Sequence, residues 1–170
     1  IIGYREAMTL KEMPEKMVVV GSGAIGVEFA YFYNAIGVDV TVVEYMPNIV
    51  PVEDEDVSKQ LQRSFKKSGI KVMTNSSVEK VDVKNGSCEV MVKTKKGEET
   101  ITADIVLSAV GITANIEGIG LEEVGIKTEN GKLVVDEFYN TNVPGYYAIG
   151  DLLPTPVSYT HLRAHETRPN

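Results

Sequence analysis

The sequence predicts an α/β fold, a parallel sheet with a three-stranded antiparallel β-meander attached, and three observations carry that reading. A β-branched apolar run at residues 17–20 meets a glycine-rich break and then a helical period. A second β-branched segment at residues 38–44 completes a β-α-β unit within about 30 residues. From Ser77 onward the hydrophobic period changes to two, with turn signals at Asn85-Gly86 and Lys96-Gly97.

Taken in order, residues 1–15 are mixed and polar, and Pro14 disfavours helix just before it, so they are expected to be a lead-in. Residues 17–20 have the composition of a strand buried on both faces, and Gly21-Ser22-Gly23 stops it. Residues 24–36 are expected to form a helix with Ile25, Phe29, Phe32 and Ile36 on its apolar face, closed by Gly37. The strand at 38–44 must then run parallel to the first, because the connection is a helical crossover. Residues 53–68 open with Glu53-Asp54-Glu55-Asp56 and end with Lys66-Lys67 before Gly69, the charge order that a helix dipole favours. A strand at 70–73 follows.

The meander is expected from Val78 and residues 80–83, from 88–94 and from 99–101. Residues 103–110 return to a buried apolar run and rejoin the parallel sheet. Short strands are expected near 133–135 and 146–149.

Composition removes several classes of function. The 170 residues carry 17 Lys and Arg against 24 Asp and Glu, a net charge of −7 that repels nucleic-acid backbones. No apolar run approaches the roughly 20 residues of a membrane-spanning helix. Cys88 is the single cysteine, so no intrachain disulfide forms, and a reducing cytoplasm is the expected compartment. Nothing cationic adjoins Cys88 in sequence, which points to packing rather than reactivity. Both histidines, His161 and His165, fall in the last ten residues, so the rest of the chain has no Ser-His-Asp triad, Cys-His pair or His/Cys metal cluster. No catalytic or metal-binding residue is assigned, and any chemistry is expected from a cofactor. The chain begins Ile1-Ile2-Gly3, which suggests an internal segment of a longer protein.

The chemistry is concentrated at Gly21-Ser22-Gly23-Ala24-Ile25-Gly26, a GxGxxG sequence between a strand and a helix. Glu44 ends the next strand 18 residues beyond Gly26, the spacing of a dinucleotide fingerprint. Gly21 would permit the tight turn, Gly23 would let backbone approach a pyrophosphate, and Gly26 would allow close helix–strand packing. The helix N-terminus would offer N–H groups and its positive dipole end to phosphate. A carboxylate at Glu44 suits the two ribose hydroxyls of adenosine and repels a 2′-phosphate. No Arg or Lys lies between Tyr45 and Val52, so NAD is favoured over NADP. Glu28 is read on the first turn of that helix, where a carboxylate near the dipole's positive end also has a purely stabilising explanation.

Residues 17–28, the strand end Val42-Val43-Glu44, and Tyr147-Ala148-Ile149-Gly150-Asp151 together resemble the flavin-dependent pyridine nucleotide-disulfide oxidoreductases. Lys11-Glu12-Met13-Pro14, Leu107-Ser108-Ala109-Val110-Gly111 and Asn142-Val143-Pro144-Gly145-Tyr146 extend the resemblance, which covers residues 1 to about 156 and is strongest toward members that oxidise dihydrolipoamide. It implies a Rossmann-like NAD-binding domain at 16–112, preceded by a lead-in from the FAD domain at 1–15 and followed by a return segment of that domain at 113–156. It places NAD contacts on Gly21, Ser22, Gly23, Ala24, Ile25, Gly26, Val27, Glu28, Glu44, Val78 and Gly111, and an FAD ribitol contact on Asp151.

The resemblance further implies a homodimeric parent that passes electrons from dihydrolipoamide through a disulfide and FAD to NAD⁺. Its partner would be the lipoyl-bearing acyltransferase of a 2-oxo acid dehydrogenase complex or the glycine cleavage carrier protein. The cysteine pair and the catalytic histidine would lie outside this chain. Two departures stand out. Ile112 replaces an arginine common in the family, and residues 157–170 leave the family pattern abruptly and are expected to be non-native sequence. Mercuric reductase, NADH oxidase, coenzyme A disulfide reductase and a stand-alone NAD-binding redox sensor remain as alternatives.

Overall fold

The computed structural model describes residues 1–84 and 86–154; Asn85 of the first meander turn, and the expected non-native segment with His161 and His165, lie outside the described residues. The chain divides into two compact units, one from Ile1 to Gly111 and one beginning at Ile112.

In the first unit, β1 (Lys16–Val20), β2 (Asp39–Val43), β3 (Lys71–Met73) and β7 (Ile105–Ser108) form a parallel sheet in the order β3-β2-β1-β7. The register pairs Val19 with Val42 on one side and with Leu107 on the other. Alternate residues of these strands feed two cores. Met17, Val19, Val40, Val42 and Leu107 meet Ala30 and Tyr33 of α2 (Ala24–Ala35) and Phe65 of α3 (Glu55–Lys67). Val18, Val43 and Val106 instead meet Cys88, Val90, Val92 and Ala103 of the antiparallel meander, built from β4 (Ser77–Lys84), β5 (Ser87–Thr94) and β6 (Gly97–Ala103). β1 and β7 are therefore covered on both faces, which explains why they read as nearly unbroken apolar runs, whereas β2 keeps Asp39 and Thr41 and the edge strand β3 is only half-buried. Cys88 is buried, and its Sγ donates weakly to the Asp104 carbonyl at 3.7 Å, as the packing reading expects.

The charge order read for α3 is realised as a cap. Asp54 accepts from Asp56 N at 2.8 Å, Glu55 and Asp56 occupy the first turn, and Lys66 and Lys67 the last.

The lead-in carries a local structure of its own, and two local expectations, the face of α2 and the strand at 146–149, are corrected. Residues 1–15 contain a one-turn helix, α1 (Tyr4–Ala7), whose Gly3 N–H is capped by Glu6 at 3.0 Å. The Tyr33 hydroxyl donates to the Ala7 carbonyl and Ile2 bridges Leu107 in parallel, so these residues pack on the first unit. Burial pushes the Tyr33 phenol above its ordinary pKa. The buried face of α2 is Gly26, Ala30 and Tyr33, while Phe32 is 53% exposed and Ile36 is also exposed. Gly26 and Ala30 let the helix axis approach the sheet, Tyr33 is buried with its hydroxyl bonded to Ala7, and of the expected face Phe29 packs on the core while Phe32 and Ile36 do not. Residues 146–149 form no strand, only an isolated bridge from Tyr147 to Asn140.

The second unit is described through α4 (Leu121–Val124), the two-residue strands β8 (Thr128–Glu129) and β9 (Lys132–Leu133), and a 3₁₀ turn at Gly150–Leu152. Leu133, Ala148 and Leu153 form its buried cluster. Among the described residues no helix is long and apolar enough to cross a membrane.

Candidate functional site

The strands of a parallel sheet all end on one side, and the loops leaving β1 and β7 part there, the position at which doubly wound sheets open a crevice. Gly21 N donates to the Val43 carbonyl at 2.9 Å and Ala109 N to the Val20 carbonyl at 2.8 Å, which seats both loops on the strand ends. A cleft of about 490 Å³ opens above them, lined by Gly21, Ser22 and Gly23, by Glu44, Tyr45 and Met46, and by Ser76, Val78 and Gly111 among others.

The three glycines of the fingerprint have distinct surroundings. Gly21 has φ +95°, and a Cβ there would stand 2.5 Å from the Ala109 carbonyl oxygen, so the turn admits no side chain. A Cβ on Gly26 would stand 2.1 Å from the Gly21 carbonyl oxygen, which fixes how closely α2 packs under the turn. A Cβ on Gly23 would meet nothing within 4 Å. That last position is open space at the N-cap of α2, where unsatisfied backbone N–H groups can meet a ligand oxyanion. The donor set and the open cradle fit a dinucleotide pyrophosphate.

Glu44 is more enclosed than its place at a strand end suggests, at 6% exposure. Its Oε2 accepts from Ser22 N at 2.8 Å and from Ser22 Oγ at 2.6 Å, while Oε1 accepts from Met46 N at 2.7 Å. Ser22 is fully buried, and its carbonyl accepts from Val50 N at 2.9 Å. Val50 holds φ +42°, an unusual conformation for a β-branched residue, and is itself buried. The segment after β2 is thus tied to the glycine-rich turn through every polar atom of Ser22. Sequence reasoning includes Ser22 only as a member of the fingerprint; nothing in the spacing signals that its hydroxyl reaches Glu44.

The remaining site candidates divide. Val78 and Gly111 line the cleft with Gly21, Ser22, Gly23 and Glu44. Ala24 and Glu28 are exposed on α2, while Ile25 and Val27 are half-buried and Val27 packs on the helix-side core. Glu28 is the fifth residue of α2, and the first turn carries no acid, so the first-turn dipole explanation for Glu28 is corrected. Asp151 stands in the second unit on the 3₁₀ turn, exposed, with its carbonyl accepting from Lys132 Nζ at 2.6 Å. Its carboxylate has no hydrogen-bond partner among the described residues, which leaves it open to a hydroxyl ligand, but one carboxylate is not a flavin site. Among the described residues no group of three or more His, Cys, Asp or Glu is placed to hold a metal ion.

The model of the family described as pyridine nucleotide-disulphide oxidoreductase matches residues 1–166, ten residues into the segment expected to be non-native. A dihydrolipoyl dehydrogenase of Rhizobium etli is 46% identical over 164 residues, covering 96% of this chain and 34% of the relative. One from Mycobacterium leprae is 43% identical over 154 residues, covering 89% and 33%. Among solved structures, LpdA from Mycobacterium tuberculosis superposes with a TM-score of 0.81 at 33% identity, covering 93% of this chain and 34% of that one. The HOCl-induced flavoprotein disulfide reductase RclA from Escherichia coli gives 0.80 at 25% identity, covering 97% and 38%. The chain spans about a third of the length of the curated relatives it matches.

Proposed function

The chain belongs to the pyridine nucleotide-disulphide oxidoreductase family, and from that premise we propose that it is the NAD-binding portion of a flavin-dependent dihydrolipoyl dehydrogenase. The observation that carries the proposal is the cleft in which the open face of Gly23 at a helix N-terminus and the Glu44 carboxylate lie together. Backbone N–H groups of residues 21–26 and the α2 dipole would hold the pyrophosphate. Glu44 accepts from the adenosine ribose and repels a 2′-phosphate. Val78 and Gly111 bound the cleft beyond the turn and position the rest of the dinucleotide. When bound, NAD supplies the hydride acceptor; the chain's own residues orient it and contribute no acid, base or nucleophile.

In the parent protein, Asp151 contacts the ribitol of FAD, residues 113–156 belong to the flavin-binding domain, and residues 1–15 are the lead-in from it. The parent is a homodimeric oxidoreductase that oxidises dihydrolipoamide on a lipoyl-bearing acyltransferase or a glycine cleavage carrier protein, in the cytoplasm. The similarity to relatives named dihydrolipoyl dehydrogenase supports this reading over the other reductases of the family.

Calorimetric titration of the 170-residue chain with NADH and NADPH tests the binding reading. NADH is expected to bind at least about tenfold more tightly, equivalent to about 1.4 kcal/mol, and Glu44→Ala is expected to narrow that preference. Equal affinities in the unmodified chain would overturn it.

A further inference from the structure

Resting on the NAD-binding reading, we propose that Ser22 is a positioning residue that sets nucleotide preference by pinning the Glu44 carboxylate. Three observations build the argument. The Ser22 hydroxyl is fully buried and donates to Glu44 Oε2 at 2.6 Å, alongside its own N–H at 2.8 Å. Bonds of this kind to an ionised acceptor are roughly twice as strong as neutral ones, and one that short and buried leaves Glu44 little rotational freedom. The Ser22 carbonyl meanwhile anchors Val50, so the segment leading away from Glu44 is held to the same residue.

Acceptor accounting gives the consequence. A carboxylate offers about four lone-pair positions; Ser22 occupies two on Oε2, and Met46 N occupies one on Oε1. One acceptor position on Oε1 remains for a ligand. Glu44 therefore takes a single ribose hydroxyl, not the pair that the sequence alone suggests. A pinned carboxylate also cannot swing aside to relieve repulsion from a 2′-phosphate, so exclusion of NADP depends on Ser22 as well as on Glu44.

The test measures NADH, NADPH and reduced nicotinamide mononucleotide binding to the 170-residue chain and to Ser22→Ala, Glu44→Ala and the double variant. Ser22→Ala is expected to weaken NADH about five- to tenfold and to lower the NADH-to-NADPH preference by a similar factor. The mononucleotide, which lacks the adenosine ribose, is expected to bind all four chains equally. In the Glu44→Ala background the same serine change is expected to have no further effect, because its action runs through the carboxylate. An unchanged preference in Ser22→Ala, or equal losses of NADH in both backgrounds, overturns the proposal. Loss of mononucleotide binding together with a fallen thermal midpoint would assign Ser22 a folding role instead, and Ser22→Cys, close in size and a weak donor, then separates the two by its preference ratio. Failure of the unmodified chain to bind NADH sinks the NAD-binding reading itself, which no Ser22 variant result can do.

Discussion

Among the described residues, the first unit buries apolar side chains against both faces of a parallel sheet, thirteen in the cluster on the helix side and seven in the cluster under the meander, whereas the buried cluster of the second unit holds three, Leu133, Ala148 and Leu153. Polar turn bonds also order the described part of the second unit. Asp136 accepts from Phe138 N at 2.8 Å and Asn140 N at 3.0 Å, and Asn142 accepts from Lys127 N and donates to the Gly125 carbonyl, each at 2.8 Å. Apolar burial gives large energies that depend on volume and shape, whereas turn bonds to exposed side chains give small ones that depend on charge. The two units should therefore respond to different perturbations.

The sharpest break in that comparison is Gly26→Ala. Its Cβ would stand 2.1 Å from a backbone oxygen that cannot move without dislodging the turn, and the change is expected to cost about 3 kcal/mol or more. Urea denaturation monitored by circular dichroism reads it, and a cost under about 1 kcal/mol would mean that the turn is free to shift.

Next in size, Leu107→Ala in the first unit is expected to cost about 3 kcal/mol, since a fully buried side chain leaves a cavity its neighbours cannot close. Leu133→Ala in the second unit should cost less than about 2 kcal/mol, because the half-buried residues that border its described cluster can relax around the loss. Hydrogen exchange of each unit's amides measures the pair, and equal costs would erase the distinction.

The smallest effect is electrostatic. Hydrogen bonds from Asn140 hold the Asp136 carboxyl below its ordinary value. Its contribution is complete above the unfolded carboxyl pKa of about 3.9 and is lost as pH falls through the lower folded value. The Phe138 and Asn140 amides should therefore lose exchange protection on acidification while the first unit's sheet amides hold. Asp136→Asn should flatten that response; an unaltered acid profile in the variant would assign the effect elsewhere.

The same contrast explains what the sequence discloses. The strands of the first unit announce themselves because Val18, Val19, Val42 and Val106 are β-branched or apolar on both faces, and burial on both faces removes the polar alternation that would blur them. The face of α2 is less plain in the sequence. Hydrophobic size points to Phe32 and Ile36, but proximity to the sheet selects Gly26 and Ala30, and periodicity cannot tell an apolar face that packs from one that does not. In the second unit, β8 and β9 are joined by an Asn130-Gly131 turn with both residues at positive φ, a local signal, whereas the Asn142 bond to the Gly125 carbonyl joins residues far apart in sequence and leaves no period. At the cleft, the glycine spacing carries the turn. The enclosure of Glu44 does not follow from it, since it depends on a serine hydroxyl turning inward at a position the fingerprint leaves unconstrained.

The placement of Cys88 gives the chain its own chronometer. A thiol sealed between the parallel sheet and the meander, and the single one in the sequence, can meet a solvent-borne alkylating reagent only when those two layers part. Under conditions where alkylation outruns reclosing, the labelling rate reports how often that seam opens. Because Val43 and Val20, the residues just before Glu44 and Gly21, border the same seam, the clock runs beneath the floor of the cleft and would register any tightening that a nucleotide brings.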